Sequence, residues 1–396
     1  MKILMCHNYY KNRGGEDVAF DNEVETLKKW GYDVVLYNKN NTHIKSFSKK
    51  IKVFFGFLFS INTFKEIEII LKKEKPDIAH IHNIFSLISP SIYFALKKNK
   101  IPIIQTIHNY RFFCSNGLCL RNKKVCIRCK KLKFFNIFKI CNTKKFYDFF
   151  LSITIYLLRK FSIYNNLIDY FIVPSIFVKN MLLECGFDKQ KVIVKRIPLN
   201  CTNIVLPKNL DNFIKNEKYF LFIGRLSEEK GIIPLIKLFK EINKIKLKIL
   251  GEGPLMAYIL KFLQYNKLNN IEVYGYVEES FKNILIFNSL SVIFPSIGFE
   301  TCGLVMVESL KLGTPVIVKN ISALPEPIID GYSGFIYNNL KQLEKVILKL
   351  YNMKLSDRYE MRENCQKSFL EFFNEDKNFK IIADIYEKLK NKRIPK

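Results

Sequence analysis

The sequence has no apolar run of the ~20 residues that a membrane-spanning helix requires. The nearest candidate, residues 149–158, is about half that length and runs into Arg159-Lys160. The opening Met1-Lys2-Ile3-Leu4-Met5-Cys6 carries too short an apolar stretch for a secretion signal, and charge soon follows. It reads as a first β-strand. Together these features predict a cytoplasmic chain whose ten cysteines stay reduced. No short internal repeat is evident. Acid is scarce: 36 Asp and Glu stand against 64 Lys and Arg, a net charge of +28. Such an excess attracts polyanions, which include nucleic acid, an anionic membrane surface and phosphorylated substrates. A codon bias toward lysine is the plainer source of the same charge. The chain has neither a zinc-finger histidine pair nor an RNA-recognition signature, so a nucleic-acid partner is not expected.

What is present is a globular composition, 48% hydrophobic and 25% charged. A length of 396 residues suggests two domains. Strand-like runs occur at residues 3–5, 34–36, 77–81, 101–107, 170–173 and 192–194, with helical stretches between most of them. Phe20, Val24 and Leu27 share one helix face, and Gly31 suits the end of that helix. After a polar stretch at 203–216 the rhythm restarts, with strands expected at 219–223, 247–250, 271–274, 292–294 and 315–318. Alternating strands and helices predict α/β units with parallel sheets covered on both faces. The expected domains are 1–204 and 205–377, with a helix over 378–396 packing back on the first.

Two basic, aromatic segments interrupt the first half. Residues 44–61 hold no acid, and residues 130–160 hold only Asp148. They read either as helices lying on an anionic membrane or as solvated basic faces over an ordinary core stripe.

The chemistry concentrates in two loops that follow apolar strands. The first is Gly224-Arg225-Leu226-Ser227-Glu228-Glu229-Lys230-Gly231. An Arg and a Lys on a glycine-flanked loop, at the C-terminal edge of a parallel sheet, can converge on a diphosphate. The second runs from Pro295 to Glu308. Gly303 should open a helix whose terminus offers N–H groups to phosphate, with Glu300 and Glu308 bracketing it. Taken singly, each piece has a plainer reading as surface loop or helix-end acid.

Together the pieces resemble the retaining nucleotide-sugar glycosyltransferases of family 4, over nearly the whole chain. The E-x7-E motif stands as Glu300…Glu308 with Gly303-Leu304 inside it, and G-R-L-x-x-x-K-G as Gly224 to Gly231. Gly251-Glu252-Gly253-Pro254, Gly313-Thr314-Pro315-Val316-Ile317, Pro325-Glu326 and a downstream loop at Gly331…Gly334 also match. The resemblance implies a GT-B fold, two Rossmann-like domains facing a central cleft. It implies that Arg225 and Lys230 hold the donor diphosphate, and that Cys302, Gly303 and Leu304 present backbone N–H groups to it. Glu300 would bind hydroxyls of the transferring sugar and Glu308 the ribose. Gly15, in the Gly14-Gly15-Glu16 loop, and His108, after the strand ending near Ile107, would complete the site. Cys302 stands where the family often has Phe. Catalysis would need no metal, since fixed cations replace a divalent ion.

One block departs from a minimal enzyme of this kind: Cys114, Cys119, Cys126 and Cys129, then Cys141. A C-x2-C pair can form half of a tetrahedral zinc site. A subset of bacterial polysaccharide glycosyltransferases resembles this block, with an apolar residue at the position of Cys119. Two readings stay open: a structural zinc on Cys114, Cys126, Cys129 and Cys141, or free thiols. The expected function is hexosyl transfer from a nucleotide sugar, a UDP-sugar among the candidates. The expected acceptor is a saccharide or lipid-linked saccharide, in polysaccharide, lipopolysaccharide-type or glycolipid synthesis. The enzyme would sit peripherally on the inner face of the cell membrane. The alternatives are a catalytically inactive scaffold, a sugar-phosphate epimerase or synthase, and a basic nucleic-acid-binding protein.

Overall fold

In the computed structural model, residues 1–10, 14–40, 59–85, 87–134, 145–197 and 217–393 are described. The chain divides into two compact units. One comprises Met1–Arg121, Cys126–Asn200 and Asp376–Lys396; the other comprises Asn122–Val125 and Cys201–Glu375. The boundary expected near residue 205 lies outside the described residues, as do most of the 44–61 segment and Cys141.

The first unit is a six-stranded parallel sheet of β1 (Lys2–Tyr9), β2 (Asp33–Asn40), β3 (Ile78–Ile81), β4 (Ile103–Thr106), β5 (Tyr170–Val173) and β6 (Val192–Val194), ordered β2-β1-β3-β4-β5-β6. All four residues of β3, of β4 and of β5 are buried. This is the pattern of central strands covered on both faces. Its helices are α1 (Gly15–Lys29), α2 (Ile61–Glu74), α3 (Ser91–Lys98), α4 (Lys145–Lys160), α5 (Ile163–Leu167) and α6 (Ile176–Glu184). At the start of α1 the Gly14 N–H donates to Asp17 Oδ2 at 2.9 Å, so an acid of the first turn satisfies an otherwise orphaned donor. Phe20, Val24 and Leu27 form its buried face. Gly31 follows with φ 79°, a left-handed conformation that lets the chain leave the helix.

The second unit repeats the plan with β7 (Tyr219–Ile223), β8 (Lys246–Leu250), β9 (Ile271–Gly275), β10 (Ser291–Phe294), β11 (Val316–Lys319) and β12 (Gly334–Tyr337), ordered β9-β8-β7-β10-β11-β12. Its helices are α7 (Ile232–Glu241), α8 (Met256–Tyr265), α9 (Glu279–Asn288), α10 (Leu304–Lys311), α11 (Leu340–Tyr351) and α12 (Leu355–Phe373). One element departs from the sequence expectation. Gly334 opens strand β12 rather than closing a loop, and a Cβ there would lie 2.4 Å from the Val316 carbonyl oxygen. Glycine lets this edge strand approach β11 closely.

The last helix, α13 (Glu375–Arg393), returns to the first unit. Phe379, Ile382, Ile385, Tyr386 and Leu389 are buried in one core cluster with Ile3, Met5, Phe20, Leu27 and Ile104. Trp30 stacks on Phe379 with ring centroids 4.2 Å apart. No helix among the described residues is long and apolar enough to cross a membrane.

Candidate functional site

The strand order of the second sheet sets the position of the site. The chain winds outward from β7 through β8 to β9, then returns to place β10 on the other side of β7. Loops leaving the C-terminal ends of β7 and β10 therefore diverge over a switch point, where open α/β sheets bind ligands. These are the two loops that carry Arg225, Lys230 and Glu300.

The loops are locked to each other through backbone. Ile297 and Gly298 both donate their N–H to the Glu229 carbonyl, at 2.9 and 3.0 Å. Gly231 has φ 70°, and a Cβ there would lie 2.0 Å from the Pro295 carbonyl oxygen. Only glycine allows that approach. The turn after β8 supports the first loop from behind: Leu226 N–H donates to the Glu252 carbonyl and Leu255 N–H to that of Leu226, each at 2.9 Å.

The charged side chains are paired within this frame. Lys230 Nζ donates to Glu300 Oε1 at 2.6 Å, and Ser296 Oγ donates to the same oxygen at 2.7 Å. The Glu300 N–H donates to Ser322 Oγ at 2.9 Å. Arg225, more than half exposed, donates from Nη2 to Glu229 Oε1 at 2.6 Å. Burial opposes ionisation of Glu229, but hydrogen bonds from Ser227 and Arg225 overcome it and hold its pKa below the usual carboxylate value. Gly303, at φ 87°, is the N-cap of α10, which begins at Leu304; Cys302 just before it is buried. Glu308 lies one turn along α10 and pairs with Lys282 of α9 at 2.8 Å. Burial raises its pKa, with Lys282 opposing the shift. Arg225, Lys230, Glu300 and the α10 terminus thus share one sheet edge. The partners Glu229, Ser296, Ser322 and Lys282 carry no sequence signal of their own.

In the first unit, Gly15 is the first residue of α1, and His108 follows β4. Their loops are joined: Asn109 Nδ2 donates to Glu16 Oε1 at 2.8 Å, Tyr10 Oη to Glu16 Oε2 at 2.9 Å, and Arg111 Nη1 to Tyr10 Oη at 2.7 Å. His108 Nε2 and His82 Nδ1 lie 2.8 Å apart. Burial is the first cause holding the His108 pKa down, at about 4.

Of the expected zinc quartet, Cys114, Cys126 and Cys129 are among the described residues and Cys141 is not. Among the described residues the one group of three potential metal ligands is Glu23, His80 and His82. Cys114 neighbours Cys119, the thiol left out of the quartet. The hydrogen bond from Cys119 brings the Cys114 pKa down to about 7, and the same bond pushes that of Cys119 up. Cys114 Sγ also lies 3.0 Å from Asn116 Oδ1.

Two doubly wound sheets in one chain, the second carrying cations and carboxylates at its switch point, place the protein in the GT-B class of glycosyltransferases. The whole chain superposes on the HepE protein of Anabaena, solved in complex with UDP, with a TM-score of 0.69, 14% identity and coverage of 98% and 100%. Residues 13–195 match the model of Glycosyltransferase Family 4, and residues 208–368 that of Glycosyl transferases group 1. An uncharacterized glycosyltransferase of Methanocaldococcus jannaschii is 28% identical over 98% of this chain and 99% of its own. The alpha-monoglucosyldiacylglycerol synthase of Streptococcus pneumoniae is 23% identical over 87% of this chain and 77% of its own. The chain belongs to the family 4 glycosyltransferases.

Proposed function

We propose that this glycosyltransferase moves a hexosyl residue, with retention, from a nucleotide sugar to a saccharide or lipid-linked saccharide in cell-surface polysaccharide or glycolipid synthesis. The observation that carries the reading is the Lys230–Glu300 pair at the switch point of the second sheet. A donor diphosphate offers Lys230 a stronger partner than one carboxylate does, and Arg225 adds a bidentate fork. When Lys230 turns to the phosphates, Glu300 is left to accept hydrogen bonds from the sugar hydroxyls, with Ser296 and Ser322 still holding it. Glu308 takes the ribose, and the N–H groups around Cys302–Leu304 at the start of α10 take phosphate oxygens. Negative charge grows on the leaving diphosphate as the glycosidic bond breaks. Fixed donors placed there stabilise it by roughly 3 kcal/mol each. The departing diphosphate then accepts the proton of the acceptor hydroxyl that attacks from the same face.

A UDP-sugar is the favoured donor, consistent with UDP in the HepE structure. A lipid-linked acceptor agrees with the glycolipid named for the Streptococcus relative. Exposed Phe134 and Phe161, with Lys131, Lys133 and Lys160 nearby in sequence, support docking on an anionic membrane face. Thermal-shift measurements against a panel of nucleotide sugars test the donor reading, and at least one should stabilise the chain. Glu300→Ala should remain folded and lose turnover. Unchanged turnover would reject the site, and a wild type inert toward every donor would favour a scaffold. Chelation with EDTA should leave initial rates intact, whereas magnesium-restorable inactivation would refute metal-independent transfer. Co-sedimentation should be stronger with anionic than with neutral liposomes, and equal negligible binding would remove the membrane claim.

A further inference from the structure

Of the chain's five histidines, His7, His80, His82 and His108 gather beneath the C-terminal edge of the first sheet. His82 is almost fully buried, and its placement is tightly specified. Its N–H donates to the Cys6 carbonyl at 2.9 Å, its carbonyl accepts from Gln105 Nε2 at 2.5 Å, and Phe20 meets the ring edge-on at 5.0 Å. One ring nitrogen, Nδ1, lies 2.8 Å from His108 Nε2. The other, Nε2, is buried with no hydrogen-bond partner among the described residues and faces Glu23 Oε2 at 3.9 Å.

Glu23, His80 and His82 are close enough to suggest a metal. The surrounding bonds argue against it. His80 already uses both nitrogens, at 2.6 Å to Tyr386 Oη and 2.7 Å to Thr106 Oγ1. Glu23 Oε1 is held at 2.6 Å by the buried ammonium of Lys195. A dication would have to be buried beside that ammonium, at a large desolvation cost.

The same groups specify a tautomer instead. A bond between two neutral imidazoles needs one donor and one acceptor nitrogen. If His82 Nδ1 donated, its Nε2 would point a bare lone pair at a carboxylate oxygen. If His108 Nε2 donates, the proton of His82 sits on Nε2 and faces the negative Glu23. The field of Glu23 selects the second arrangement. We propose that His82 is a positioning residue: with Glu23 behind it, it holds His108 as the Nε2–H tautomer, so that Nδ1 is the accepting nitrogen of His108. His108 lines a small cavity of about 20 Å³, room for little more than one water, together with Thr106, Pro174 and Lys195. A hydroxyl group presented to Nδ1 of that ring would meet an acceptor rather than a donor. The catalytic consequence rests on the glycosyltransfer reading above; the tautomer does not.

The test uses the full chain and two readouts. Long-range nitrogen–proton NMR on ring-labelled histidines, with His108 assigned from its loss in His108→Asn, reports which nitrogen carries the proton. The expected result is a protonated Nε2 in the wild type and in His82→Asn, whose amide oxygen can still accept. His82→Leu should give a mixture of tautomers. Release of nucleoside diphosphate from UDP-glucose, UDP-galactose and GDP-mannose is the second readout. His82→Leu should lower kcat about tenfold with little change in KM, and His82→Asn should recover to within about threefold, the scale of one hydrogen bond. A deprotonated Nε2 in the wild type overturns the proposal. So do His108 signals and kcat that ignore His82→Leu, or near-stoichiometric metal in the wild type that His82→Leu abolishes. Wild-type inactivity on all three donors counts against the donor reading, and NMR alone then decides the tautomer.

Discussion

In the proposed donor site Lys230 is the pivotal residue, because it is both the cation proposed to take the diphosphate and the partner of Glu300. Lys230→Ala should lower kcat by about a hundredfold, the loss typical of one well-placed charge-stabilising donor. Folding should survive, since Ser296 and Ser322 still hold Glu300. Steady-state kinetics beside circular dichroism would show this, and a large KM rise with kcat intact would assign Lys230 to binding shared equally by substrate and transition state. Gly231 answers a different demand. A methyl group at φ 70°, 2.0 Å from the Pro295 carbonyl oxygen, forces the two loops apart. Gly231→Ala should destabilise the second unit by roughly 2 kcal/mol or more and blunt donor stabilisation in the same thermal-shift assay. A variant as stable and as responsive as the wild type would show that the loops tolerate separation.

At the scale of elements, α13 is the informative case. It is the end of the chain, yet it supplies Phe379, Ile382, Ile385, Tyr386 and Leu389 to the core of the first unit. Tyr386 also places its hydroxyl 2.6 Å from Nδ1 of the buried His80. Tyr386→Phe keeps the packing and removes that partner, so it should cost about 1–3 kcal/mol, the penalty for an unsatisfied buried polar group. Urea unfolding measures it; no change in midpoint would mean that His80 finds another partner. The two loop–strand junctions of the second sheet behave as one element for the same physical reason. Hydrogen bonds from Ile297 and Gly298 to Glu229 make either loop's position depend on the other's.

For the whole molecule, the buried histidines predict an acid limit. Burial holds His80 near a pKa of about 4, against an ordinary value of 6.5. Between those values the unfolded chain binds the proton and the folded chain does not. Stability from this group is therefore complete above about pH 6.5 and is lost as the pH falls toward 4. The loss amounts to roughly 3 kcal/mol. Urea midpoints measured between pH 7 and pH 4.5 should fall, and His80→Gln should flatten the slope. An equal slope in the variant would assign the acid sensitivity to other groups.

Much of this molecule can be read from residue order alone. The resemblance to family 4 marks Arg225, Lys230, Glu300 and Glu308 as the proposed donor residues, and apolar strands followed by glycine and charge specify two α/β units. Local sequence suffices there because strand, turn and helix propensities act over a few residues. It fails where the partner is distant. Nothing near Lys230 announces Glu300 as its partner, and nothing in the cysteine spacing sets Cys119 against Cys114. Gly334 to Tyr337 is too short a run to be told from a loop until β11 pairs with it. The return of the last helix was expected, but the contact of Tyr386 with His80 and the row Glu23–His82–His108 depend on which strands become neighbours. Hydrogen bonds and buried charges are decided at distances of 2.6 to 3.9 Å, and only the folded chain brings residues from separate segments that close.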